Sequence, residues 1–166
     1  MASVGDDFEA WYRRTYPALL ASVTALSGDR QVALDITHES FVRALGHWKR
    51  VGAMDSPGGW TYRVAVNLLR RRGRRAALER GLLARERPAA TPETSDTDLW
   101  FLVQSLSPRQ RSAIVLRYVA DLTERDVALA MGISRSGVAS TLQAAHRRLG
   151  ALMSVPVAPD VESPRA

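Results

Sequence analysis

Asn67 follows Arg63 by four residues, a spacing that puts both on one face of a helix. An amide beside a guanidinium can hold base edges and phosphate oxygens. Trp60 and Tyr62 precede them and offer rings that stack on, or wedge against, unpaired bases. Taken alone, Trp60 reads better as a core residue. Arg70, Arg71, Arg72, Arg74 and Arg75 come next, a run suited to phosphate contact and salt-dependent affinity. The charge is local: residues 57–90 carry 9 basic and 2 acidic side chains, whereas residues 1–56 carry 6 and 7. Of the 23 basic residues all but Lys49 are Arg, whose planar fork matches phosphate and guanine edges. A high-GC coding bias gives the same skew, so position says more than type.

Residues 123–149 form a second constellation. Thr123-Glu124-Arg125-Asp126 reads as a capping box. Ala128 is small enough for two helices to cross closely, and Gly132 allows the positive φ of a tight turn. The spacing predicts a helix-turn-helix whose junction buries Val127, Ile133, Val138 and Leu142. Its second helix is then free to enter a major groove. The alternative is an ordinary helical hairpin; turn chemistry and spacing together favour the first reading.

A third cluster is Asp35 and Glu39, which repel each other at this spacing unless Arg43, one turn on, neutralises them. The competing reading is a solvated acidic stripe. Other chemistry is poorly represented. The chain has no Cys, which excludes disulfides and thiolate-held metals. Its three His, at 38, 47 and 146, are scattered, and His47 and His146 read as surface residues. No phosphate-binding glycine loop occurs, and no Ser or His lies in a nucleophile motif. No catalytic residue, metal or cofactor is therefore expected.

These groups need helices to position them. The 166 residues are 46% hydrophobic, enough for a core, and nearly every segment has helical rather than strand periodicity. Phe8, Trp11, Tyr12, Leu19, Val23 and Leu26 make a first stripe, with a kink expected at Pro17. A second helix is expected from Arg30 to Trp48, with Ala33, Phe41, Leu45 and Trp48 inward, followed by a loop from Lys49 to Asp55. Ser56-Pro57 restarts a helix that turns Trp60, Val64 and Leu68 inward and ends in the Arg run. Trp11, Trp48 and Trp100 read as core or interface. Gly81 to Asp96 has no apolar period and reads as a flexible linker. Beyond it come a short helix with Leu99, Leu102, Val103 and Leu106, then a Ser107-Pro108 cap opening a helix to Val119. The last helix runs from Arg135 to Leu152, and a Pro-rich tail is expected to be disordered. No apolar run is long enough to span a membrane, and Asp6, Asp7 and Glu9 argue against a signal peptide. The expected location is the cytoplasm.

Three motifs in this order resemble the extracytoplasmic-function sigma factors, small members of the main bacterial sigma family. Asp35-Ile36-Thr37-His38-Glu39-Ser40-Phe41-Val42-Arg43-Ala44 resembles region 2.2. Gly59 to Asn67 resembles regions 2.3 and 2.4. Leu106-Ser107-Pro108-Arg109-Gln110-Arg111 with the helix-turn-helix resembles region 4. The likeness covers roughly residues 8–152. It implies an all-α fold of two small helical domains joined by a flexible linker. One, residues 6–78, binds core RNA polymerase and the −10 element; residues 79–96 are the linker. The other, residues 97–153, binds the −35 element, and residues 154–166 are the tail.

The likeness also implies roles. Asp35, His38, Glu39 and Arg43 dock on core RNA polymerase. The loop from Lys49 to Gly58 captures a flipped base. Lys49, Arg50, Trp60, Arg63, Asn67, Arg70, Arg71 and Arg74 meet the −10 element of promoter DNA. Arg135 and Arg147 are candidates for −35 phosphates, joined by Arg148; Ser136, Ser140, Thr141 and Gln143 are candidates for base edges. An anti-sigma partner is implied as well. The chain departs from the family pattern at His38, where Gln is common, and at Ala139, Thr141 and Ala144, where cations are usual. Losing three cations predicts a flatter salt dependence and a weak −35 contact. The rival readings are a helix-turn-helix regulator that binds duplex DNA without polymerase, and a helical module whose Arg cluster contacts acidic protein.

Overall fold

The computed structural model describes residues 4–82 and 97–153. Residues 83–96 of the expected linker and the tail 154–166 lie outside the described residues. All regular elements among the described residues are helical. They are α1 Val4–Ser27, α2 Arg30–Gly46, α3 Trp48–Val51, α4 Pro57–Leu82, α5 Thr97–Gln104, α6 Pro108–Ile114, a π-helical turn Val115–Val119, α7 Glu124–Met131 and α8 Arg135–Met153.

α1 continues through Pro17 without a break and stops where Gly28 takes φ +68°. Asp29 then caps α2, its side chain accepting from the N–H groups of Gln31 and Val32. Aromatic rings lock α1 to α2 and α3. Trp11 meets Trp48 at 4.7 Å between centroids, Tyr12 meets Phe41 at 4.7 Å, and Phe8 meets the Trp48 edge at 5.1 Å. Gly52 lies against Trp48, with 3.0 Å left for any Cβ, so the chain can turn tightly under the indole. Ser22, Ser40 and Thr61 are buried hydroxyls. Each donates to a carbonyl one turn back on its own helix, Ala18, Ile36 and Pro57, which gives its proton an acceptor inside the helix.

Two inward assignments differ from the sequence pattern. Leu45 is 55% exposed, and Ile36 and Ala44 are buried instead. On α4 Gly59, Thr61, Tyr62, Ala65 and Val66 are buried, while Trp60, Val64 and Leu68 are half-buried. The reason is that α4 is covered from more than one side: α1 and α2 pack on it, and so does α7. The buried sector therefore rotates toward Tyr62 and Val66. α4 also continues past the Arg run to Leu82, so residues 79–82 are helical.

In the second half, Ser107 and Gln110 form a reciprocal capping box. Leu106, Ile114, Val115, Leu116 and Val127 are buried. The helix opened by Pro108 widens into the π-helical turn at Val115 rather than running on as an α-helix. Asp121 (φ +50°) then reverses the chain.

The two halves touch one another. α7 packs along α4, and α1 packs on the π-helical turn. Arg70 Nη1 donates to the Met131 carbonyl at 3.1 Å, Gln104 Nε2 to the Ala25 carbonyl at 3.5 Å, and Arg125 pairs with Asp55 at 3.0 Å. That ion pair is exposed, at 70% and 81% of the two side chains, and contributes at most about 1 kcal/mol. Packing holds the join more than charge does.

Candidate nucleic-acid interface

α4 is fixed at its start by Ser56, whose Oγ accepts from the Gly59 N–H at 3.0 Å, and by Pro57 at the first helical position. Burying Tyr62 and Val66 turns the other side outward. Arg63, Asn67, Arg70, Arg71 and Arg74 are exposed there. The cations are partly committed: Arg72 lies 4.0 Å from Asp35 and Arg75 bonds Glu79 at 3.1 Å. Arg70 is held by the Met131 carbonyl. Arg63 and Asn67 sit side by side between Trp60 and these arginines, as the four-residue spacing predicts. Trp60 is half-buried with its ring edge-on to His47 at 6.5 Å. Lys49 and Arg50 are exposed on α3.

Tyr62 is not available to bases. It is buried, and loss of solvent, offset in part by nearby Ser22, pushes its hydroxyl up to about 12. The alternating aromatic spacing hid this, because Trp60 and Tyr62 point to different sides of one helix.

α2 presents a second surface. Asp35, His38, Glu39 and Arg43 are all exposed. Arg43 Nε meets Glu39 Oε1 at 2.8 Å, which removes the repulsion expected between Asp35 and Glu39. The His38 ring stacks on Tyr16, with Nε2 at 3.3 Å from the Tyr16 hydroxyl. Val42, 64% exposed, lies among them with Leu45 beside it. Val42 is a residue that sequence patterning missed; an apolar side chain on the outer arc of α2 was its available signal.

The helix-turn-helix forms on the expected residues. Thr123 caps α7 by accepting from the Asp126 N–H, although the reciprocal half of the box is replaced by a Thr123 hydroxyl donating to the Asp126 carboxylate at 2.9 Å. Gly132 takes φ +68°, and the Ile133 N–H returns to the Ala128 carbonyl at 3.1 Å. Val127, Ala128, Val138 and Leu142 are buried and Ile133 half-buried. Ser134 caps α8 through the Gly137 N–H at 3.0 Å.

On α8, Arg135, Ser136, Ala139, Ser140, Gln143, Arg147 and Arg148 are exposed. Ser136, Ser140, Gln143 and Arg147 form one stripe at helical spacing. Thr141 does not join them. It is 8% exposed and its hydroxyl donates to the Gly137 carbonyl at 2.6 Å, so it faces the core and reaches no base edge. The expectation of three missing cations is corrected for the same reason: a side chain at 141 points inward, and of the three positions Ala139 alone is exposed.

Among the described residues no group of acidic or histidine side chains is placed to hold a metal ion, and no helix is long and apolar enough to cross a membrane.

Comparison with known proteins adds independent findings. Residues 6–79 match the family profile of sigma-70 region 2, and residues 97–149 that of sigma-70 region 4. The RNA polymerase sigma-E factor of Streptomyces coelicolor is 30% identical over 162 residues, spanning 95% of this chain and 90% of that one. The ECF RNA polymerase sigma factor SigG of Mycobacterium tuberculosis is 30% identical over 176 residues, spanning 86% of this chain and 48% of that one. Among solved structures, the sigma factor RpoE in complex with the anti-sigma factor NepR, from Bartonella quintana, superposes with a TM-score of 0.76 at 22% identity. That match covers 90% of this chain and 98% of the other. CnrH in complex with the cytosolic domain of CnrY gives 0.60 at 21% identity, covering 88% and 86%.

Proposed function

The chain belongs to the sigma-70 family as an extracytoplasmic-function RNA polymerase sigma factor, and from that premise we propose how its surfaces divide the work. The α2 face, with Asp35, His38, Glu39, Val42 and Arg43, docks on core polymerase. The outward side of α4, with Arg63, Asn67, Arg71 and Arg74, holds the unpaired strand of the −10 element. Trp60, Lys49, Arg50 and Arg70 flank it. The stripe Ser136, Ser140, Gln143 and Arg147, with Arg135, meets the −35 element as duplex.

What carries this reading is that α4 buries Tyr62 and Val66 and thereby turns an amide, a guanidinium and two further cations, Arg71 and Arg74, to one exposed side. Unpaired bases suit such a side, because melting exposes edges at a cost of a few kcal/mol. The protein performs no catalytic step and works in the cytoplasm. The module contacting only acidic protein and the regulator that acts without polymerase are both set aside by the family match of the two halves. Its relative RpoE was solved with an anti-sigma factor; we propose that this chain also has such a partner, which competes with core polymerase for the α2 face.

The test is reconstitution. The purified chain is added to core polymerase with fragmented genomic DNA, and transcript starts are mapped. A shared pair of upstream elements at new starts is expected. Starts identical to those of core polymerase alone contradict the proposal.

A further inference from the structure

We infer that His38 makes the polymerase-docking face proton-sensitive: α2 docks with a neutral imidazole in the middle of its outer side, and the fit is lost when the ring takes up a proton. The inference rests on the docking role proposed above for α2.

The helix period sets the place of the ring. Leu34, His38, Val42 and Leu45 follow one another at intervals of four, four and three residues, so they fall on one stripe of α2. Val42 and Leu45 are more than half exposed, His38 is exposed and Leu34 half-buried. The middle of the docking face is therefore an apolar strip with one imidazole in it. A partner seated on Val42 and Leu45 takes that ring out of water too, and burial disfavours its charged form.

α1 supports the ring from behind. Tyr16, half-buried, stacks on it with centroids 6.0 Å apart, and its hydroxyl lies 3.3 Å from Nε2. A neutral ring with its hydrogen on Nδ1 accepts the tyrosine hydrogen at Nε2. Protonation puts a hydrogen on Nε2 as well, and the tyrosine O–H must then turn away.

A free carboxylate beside the ring would reverse the effect by holding the imidazolium, but the neighbouring carboxylates are engaged. Glu39 meets Arg43 at 2.8 Å. Asp35 accepts from Gln31 Nε2 at 3.3 Å and has Arg72 of α4 at 4.0 Å. On α1, Glu9 pairs with Arg13. α3 adds the cations Lys49 and Arg50. Each of these acids already has a cation, so a proton on His38 finds little to stabilise it once water is excluded. Histidine changes charge between about pH 5 and 8. The free chain then binds the proton better than the docked chain does, so affinity for core polymerase falls as pH falls through that range, by at most about tenfold per pH unit.

The chain, which has no Cys, is labelled through Ser163→Cys, and its affinity for core polymerase is measured by anisotropy between about pH 5.5 and pH 7.5. The readout is the ratio of affinities across that range within one protein; titration of the polymerase's own groups enters every ratio alike. The ratio is expected to be about fivefold or more larger for the unchanged chain than for His38→Gln. His38→Arg, charged at every pH, is expected to follow the profile of His38→Gln at lower affinity. Equal ratios in the unchanged chain and His38→Gln overturn the inference, and so does tighter docking at the lower pH. Glu39→Arg separates the two failures. If it weakens docking while the ratios are equal, the inference alone fails. If it leaves docking unchanged, α2 is not the docking face and the underlying reading fails.

Discussion

Arg70 donates from Nη1 to the carbonyl oxygen of Met131 at 3.1 Å. One arginine of the basic run thus ties α4 to the last turn of α7, whereas Arg71 and Arg74 face solvent. Arg70→Ala is expected to lower stability by about 1 kcal/mol through loss of a charged hydrogen bond. Arg71→Ala and Arg74→Ala should leave it unchanged. Urea unfolding of the three variants checks the difference.

The same arginines separate again in DNA binding. Each free cation that touches a phosphate of a single strand adds about 0.7 to the slope of log affinity against log salt. Arg71→Ala and Arg74→Ala should each flatten the slope by about that amount with polymerase present. Arg75→Ala, whose guanidinium is paired with Glu79, should flatten it less. Equal effects at all three positions contradict the assignment.

In the second half, Ala139 is an exposed position on α8 and Thr141 a buried one. Ala139→Arg should strengthen binding to duplex −35 DNA and steepen its salt slope by about 0.9. Gln143→Ala should weaken binding by about 1–3 kcal/mol at one base pair and relax the preference there. Thr141→Ala should lower stability and leave base preference alone. Titration of duplexes over a range of salt reads all three.

The capped starts at Ser56, Ser107 and Thr123 and the helix-turn-helix were legible because they depend on local chemistry: a hydroxyl three residues from an N–H, or a glycine at positive φ; the short helix Trp48–Val51 was not, and stands where a loop from Lys49 was expected. What was not legible was the direction of individual side chains on helices packed from several sides. Tyr62 and Thr141 turn inward, and Val42 and Leu45 turn outward. In each case the deciding neighbours are remote in sequence: α1 and α4 against α2, α1, α2 and α7 against α4, and α6 against α8. The join of the two halves has the same origin. Nothing near Gly59 announces that Asp126 and Leu129 will rest on it.

Tyr62 supplies a pH signature of that burial. Its hydroxyl titrates near 12 in the folded chain and near 10 in an unfolded one. Above pH 10 the unfolded state releases a proton that the folded state keeps, so stability falls as pH rises from 10 and levels off near 12. Two pH units correspond to about 2.7 kcal/mol. Tyr62→Phe should remove this slope and leave stability at pH 7 little changed. Chemical unfolding from pH 8 to 11.5 decides it; equal slopes in both proteins mean that Tyr62 is solvated.

The central claim is that α4 holds the melted strand while α2 holds the enzyme. A photocrosslinking amino acid placed at Asn67 or at Glu39, in a complex of the full chain, core polymerase and a promoter found by reconstitution, measures this in one gel. The account predicts that the probe at 67 joins the unpaired promoter strand and the probe at 39 joins a polymerase subunit. A probe at 67 that joins protein alone, or one at 39 that joins DNA, contradicts it.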